Sequence, residues 1–194
     1  MKLIKRTVVL LCIVGLSGCA FVPRNVDVNS VKSRIHIPTE NYNVSKHIEF
    51  LPTIDKRSDP GSFGYIRNKL MMVTSFVSMS GDLSETVDQM VKKNFQLVGI
   101  GDGNSSYQIR TKILEAHTDV LDPNNIFVRI RIQIGLTDKN TNMSLLHEVI
   151  SGYSVVGVMQ LDNFAHESAF VNAMNQINEK VYDVAKVVEK HLAR

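Results

Sequence analysis

NIFVRIRIQIGLTD, residues 125–138, is the stretch on which the fold turns. Ile126, Val128, Ile130, Ile132, Ile134 and Leu136 share one parity, while Arg129, Arg131 and Gln133 mark the other. Side chains of a strand alternate between faces, so this pattern predicts a β-strand with one buried and one wet face. A wet face argues against a parallel sheet covered on both sides. It points to antiparallel pairing with helices on a single side.

The flanking segments extend that reading. SYQIRTKILEAHTDV, residues 106–120, sets Tyr107, Ile109, Thr111 and Ile113 against Gln108, Arg110 and Lys112. Turn residues at 122–125 (DPNN) and 138–141 (DKNT) bracket the central strand, and residues 145–158 supply a third, completing a meander. Upstream, Asp82 and Glu85 in DLSE make a capping-box-like pair, and Leu83, Val87, Met90, Val91 and Phe95 recur at helical spacing, predicting a helix over 82–96. Gly99, Gly101 and Gly103 follow that helix instead of preceding it, so they read as a turn and not as a phosphate cradle. A long helix over 163–192 carries Phe170, Met174, Ile177, Val181, Val184, Val188 and Leu192 on one side, and covers the sheet. Residues 43–55, NVSKHIEFLPTID, form a first strand in which Pro52 marks an edge or a bulge, and residues 65–80 hold a further strand or hairpin. The expected class is α+β: an antiparallel or mixed sheet with two helices packed on one face.

The first residues read differently. Lys2, Lys5 and Arg6 precede an apolar run from Thr7 to Gly15, which is too short to span a bilayer as a helix, since that takes roughly 20 residues. The run ends in Leu16-Ser17-Gly18-Cys19, which resembles the lipobox of bacterial lipoproteins. That resemblance implies cleavage between Gly18 and Cys19, and a diacylglycerol and an acyl chain on Cys19 as the only covalent additions. Ala20, where the lipoprotein pattern would carry aspartate for inner-membrane retention, implies an outer-membrane destination. The expected organisation is a signal peptide over 1–18, a lipidated cysteine and extended tether over 19–42, and one periplasmic domain over 43–194. Three of the 22 basic residues and none of the 19 acidic ones fall in residues 1–18, leaving 19 of each. Balanced charge without a basic stripe argues against nucleic acid as a partner. With Cys12 in the discarded segment and Cys19 lipidated, the domain has no disulfide and relies on its core.

Candidate binding residues fall in two groups. Asp55, Arg57 and Asp59, in the turn-rich loop DKRSDPGSFG at 55–64, make either a polar site or a set of turn caps. Arg110, Arg129 and Arg131 on the wet face make either a cationic patch for an acidic partner or headgroup, or a solvated surface. Leu70 to Met79, rich in methionine, together with Phe95 would suit a groove between sheet and helices, or simply fill the core. The six histidines lack H-x-x-x-H spacing, no G-x-S-x-G turn is present, and no catalytic residue, metal site or cofactor is expected.

The lipobox, the Asn- and Pro-bearing segment after it, the D-x-R loop, the helix end KKNFQLVG, the strand SYQIRTKILEAHTDV and the run GYSVVGVM together resemble the YajG-like family of bacterial lipoproteins. The resemblance implies an envelope location and an α+β fold and carries over one functional position, Cys19. The expected role is a non-catalytic accessory or structural subunit that binds another envelope protein, for instance in a secretion, flagellar or surface-assembly machine. The alternative is a carrier or sensor of a lipid or cell-wall fragment.

Overall fold

In the computed structural model, which describes residues 23–37, 39, 43–68, 70–122, 125–157 and 162–193, every apolar residue of the 126–136 parity is at most 1% exposed. The strand that carries them, β7 (Asn125–Asp138), runs antiparallel between β6 (Tyr107–Asp122) and β8 (Met143–Gly157), giving the expected meander. The remaining strands are β1 (Arg24–Asp27), β2 (Lys46–Asp55), β3 (Ser62–Arg67), β4 (Val73–Ser80) and β5 (Ile100–Asp102). Among the described residues these eight strands form one mixed sheet. The helices are a single turn α1 (Val28–Val31), then α2 (Leu83–Leu97) and α3 (Asn163–Leu192), with a 3-10 turn over Lys32–Arg34.

Strand β6 organises the sheet. One edge is taken by β7; the other is shared end to end by β2, parallel to residues 108–113, and β3, parallel to residues 118–120. Between these stations β6 carries a bulge, since Ile113 faces Ile132 while Glu115 faces Arg131, leaving Leu114 as the extra residue. The bulge resets the alternation, so Ala116, Thr118 and Val120 continue the buried face begun by Ile109, Thr111 and Ile113. Pro52 lies where the β2–β6 register shifts between Leu51 and Ile54, and β2 is interior, flanked by β5 and β6. The proline therefore marks a bulge, where a missing amide donor is tolerated.

Both long helices cover the same face. The Asp82 side chain accepts from the Glu85 amide at 2.9 Å to start α2, and the Asp162 side chain accepts from the Ala165 amide at 2.8 Å to start α3. Glu85 does not complete a capping box; its carboxylate accepts from Gln89 and Lys32 instead. Phe95 on α2 stacks edge-on against Phe50 of β2 at 5.3 Å, and Phe170 on α3 meets Phe63 of β3 at 5.8 Å. The helices are joined by a buried amide pair, Asn94 Nδ2 donating to Asn178 Oδ1 at 2.7 Å.

Two expectations need correction. Part of the tether assigned to residues 19–42 is folded domain, since β1 starts at Arg24. Val26, Val28, Val31 and Ile35 are at most 4% exposed, and β1 pairs in parallel with β4 in the register Arg24↔Val77. Four apolar residues at irregular spacing produce no period, which is why this segment read as linker. The glycine run after α2 is also more than a turn. Gly99, at φ +80°, ends the helix, and Ile100–Asp102 then pairs in parallel with β2. The lipobox and cleavage site, Gly18 and Cys19, lie outside the described residues.

Candidate functional site

The face of the sheet opposite the helices carries a continuous cross-strand row. Phe76 faces Tyr65, Tyr65 faces Asp119, Asp119 faces Phe127 and Phe127 faces Val155, spanning β4, β3, β6, β7 and β8. Adjacent strands lie about 4.8 Å apart, so the row is roughly 19 Å wide. The next row holds His117, Arg129 and Tyr153. Phe76, Tyr153 and Val155 are 61%, 51% and 48% exposed, large values for apolar or aromatic groups so closely placed.

Electrostatics order this surface. Arg67 pairs with Asp119 at 3.3 Å and lies over the Tyr65 ring at 5.9 Å, while Tyr65 meets Phe76 edge-on at 5.7 Å. Glu115 accepts from Arg129 Nη2 at 2.6 Å and Nε at 2.8 Å, and lies 3.7 Å from Arg131 Nη1. Two guanidinium groups on one carboxylate leave one net positive charge, held in a fixed place by the bulge at Leu114. Arg110 is elsewhere. It faces Gly135, four positions along β7 from Arg131 and therefore about 13 Å away. The cationic patch expected of Arg110, Arg129 and Arg131 thus resolves into an Arg129–Glu115–Arg131 cluster and a separate arginine.

The loop between β2 and β3 borders this cluster. It closes a notch of about 520 Å³ lined by Lys56, Ser58, Tyr65, Glu115 and His117 among others. Arg57 turns inward. Its guanidinium donates to both Asp55 oxygens, at 2.7 Å at the closest, and to the carbonyls of Pro60 and Ser62. Asp59 accepts from the Gly61 amide at 3.1 Å. Of the three residues expected to form a polar site, Asp55 and Arg57 are a loop staple and Asp59 caps a turn.

The groove expected between sheet and helices is occupied by side chains. Phe95 is fully buried and Met79 nearly so, whereas Leu70, Met71 and Met72 sit exposed on the β3–β4 turn. A concave space of about 650 Å³ occurs instead on the outer side of α2, where Gln89, Lys92 and Gln96 face Asn29, Lys32 and Ile35. Among the described residues no three His, Cys, Asp or Glu side chains approach closely enough to hold a metal ion, and no helix is long and apolar enough to cross a membrane.

Sequence reasoning passed over Tyr65, Phe76, Phe127 and Tyr153. One signal was available: Phe127 stands on the polar parity of β7, an aromatic among arginines.

No family model matches this sequence, and no curated protein matches it either. The fold is similar to that of a Xanthomonas campestris protein of the DUF330 family, at a TM-score of 0.58 and 12% identity, covering 89% of this chain and 100% of that one. Such a likeness fixes the fold alone. Looser similarity extends to a minor lipoprotein of Acinetobacter baumannii, at a TM-score of 0.44, 7% identity, and 72% and 94% coverage. A Neisseria meningitidis lipoprotein follows at a TM-score of 0.32, 14% identity, and 69% and 99% coverage.

Proposed function

We propose that this chain is a non-catalytic, YajG-like lipoprotein, anchored by lipid at Cys19 to the outer membrane and facing the periplasm. There it acts as an accessory subunit that binds another envelope protein through the open face of its sheet. The observation that carries this reading is the row Phe76–Tyr65–Asp119–Phe127–Val155 with the Arg129–Glu115–Arg131 cluster beside it. Aromatic groups and arginine are the residue types that dominate protein–protein hot spots, and a rigid ladder presents them without an ordering cost.

Photo-crosslinking from Tyr153 in intact cells tests the docking surface. A discrete adduct is expected that disappears when Phe76 and Phe127 are both replaced by Ser, with the melting temperature kept within a few degrees. An adduct of unchanged yield in that variant would move the interface elsewhere. The anchor is tested separately with a palmitate analogue: label is expected in the wild type and none in Cys19→Ser. The carrier alternative would use the space beside α2, and co-purifying lipid in native mass spectra, lost on Gln89→Trp, would favour it.

A further inference from the structure

The β3–β4 turn has a composition that turns seldom have. Leu70, Met71 and Met72 on this turn and Val73 at the start of β4 are 76%, 54%, 55% and 44% exposed, a run of four apolar side chains where a turn usually carries Gly, Asn, Asp or Ser. Exposed runs of this length have no place in a fold that needs only water around it. We propose that this tip is a second, non-covalent membrane contact, inserting Leu70, Met71 and Met72 into the headgroup–acyl boundary of the bilayer that holds the lipid anchor. The inference rests on the anchoring at Cys19 proposed above.

Two independent features select a bilayer over other occupants. The first is chain geometry. Because β1 and β4 are parallel with Arg24 beside Val77, the chain enters β1 from the end of the sheet at which β4 begins, that is, from the side of the tip. Val73 lies four positions beyond Val77, about 13 Å, and residues 70–72 a few ångströms farther. Cys19 is five residues before Arg24, a reach of at most about 17 Å. A lipid on Cys19 therefore has the reach to enter the same bilayer surface as the tip.

The second feature is that the tip satisfies its own backbone. Asn68 Oδ1 accepts from the amides of Leu70 at 2.9 Å and Met72 at 3.0 Å. The Asn68 carbonyl accepts from the Met71 amide at 2.9 Å, and the Asn68 amide donates to the Met72 carbonyl at 3.0 Å. Met71 takes φ +63° to close this turn. Unpaired amides are what bar irregular backbone from a low-dielectric layer, and three of the tip's donors are already paired. Flexible methionines suit the uneven boundary region, and no acidic side chain lies among residues 70–73 to oppose entry.

The test places an environment-sensitive fluorophore at Met72→Cys, and in a control at Met143→Cys. Met143 is 60% exposed and lies at the opposite end of the sheet, beside Asp138. Lipidated protein is reconstituted in vesicles of phosphatidylethanolamine and phosphatidylglycerol. The probe at 72 is expected to shift to the blue and be quenched by shallow doxyl lipids, and the probe at 143 to remain in water. A probe at 72 that stays in water overturns the proposal. One shielded from water but untouched by doxyl lipids also overturns it and assigns the tip to a protein or a second copy. Mass analysis of the N-terminal peptide reads lipidation independently. If Cys19 proves unmodified the anchoring fails, and the tip is then judged by adding the unlipidated chain to the same vesicles. There Leu70→Glu with Met72→Glu is expected to lower partitioning at least about tenfold, and equal partitioning refutes insertion.

Discussion

Gly152 on β8 lies directly beneath the Ala173 carbonyl of α3. A Cβ at 152 would collide with that backbone oxygen and stand 2.9 Å from Ile177 Cγ1. The long helix rests on the meander at this point, and the absence of a side chain sets how closely it can approach. Gly152→Ala is therefore expected to lower stability by about 1–3 kcal/mol through overpacking, and Gly152→Val to prevent the helix from seating. Thermal denaturation of the two variants checks the order. A Gly152→Ala protein as stable as wild type would mean that α3 is free to rise.

Neighbouring residues of β7 should respond in opposite ways. Ile130 is fully buried, and Ile130→Asp places an unpaired carboxylate there, at a cost of several kcal/mol, enough to unfold an ordinary domain. Arg129 is 57% exposed at its side chain and pairs with Glu115, so Arg129→Gln is expected to cost less than about 1 kcal/mol. Urea titration of both variants reads the contrast.

Stability should depend on pH through His166. The side chain is fully buried in α3, neither ring nitrogen has a hydrogen-bond partner among the described residues, and burial first, then the nearby Arg24 charge, pushes its pKa down to about 4. The unfolded chain takes up this proton near 6.5 and the folded one only near 4, so the contribution is complete above about 6.5 and is lost as pH falls toward 4. The slope is at most about 1.4 kcal/mol per pH unit and the total on the order of 3 kcal/mol. His166→Leu is expected to flatten the melting-temperature profile between pH 4 and pH 6.5, measured against wild type.

The amide pair between the helices gives a fourth expectation. Asn178 accepts from Asn94 at 2.7 Å and donates to the His36 carbonyl at 2.7 Å, tying α2, α3 and the segment after the 3-10 turn together. Asn178→Ala strips both bonds and is expected to cost about 2 kcal/mol. Hydrogen exchange should rise around residue 36 before it rises in α3. Uniform exchange across both would show that the strap is not held by this residue.

These sites differ in how far the sequence revealed them. The alternation of residues 126–136 and the stripe from Phe170 to Leu192 were legible because each buries one face and therefore repeats at its own period. Asp82 was legible as a cap because its partner is three residues away. The grouping of Arg129 and Arg131 on Glu115 was not, because it depends on a one-residue bulge at Leu114 and on which strand lies beside which. Parallel pairings such as β1 with β4 leave no local trace. Nor did the ladder from Phe76 to Val155, whose five residues come from five strands.

Strand β1 also has a consequence for the order of events in folding. Its sheet partner lies 53 residues downstream, Arg24 beside Val77, and its contact with α3 spans 138 residues. Nothing local can hold it, so a chain that emerges with its amino terminus first must wait for nearly its whole length before this segment finds its place. Until then the outer edge of β4 stays open, offering unpaired donors and acceptors to any extended chain nearby, including another copy of itself. The interval before β1 docks is thus the period of greatest exposure to misassembly, and replacing Val26 or Val28 with a polar residue would lengthen it.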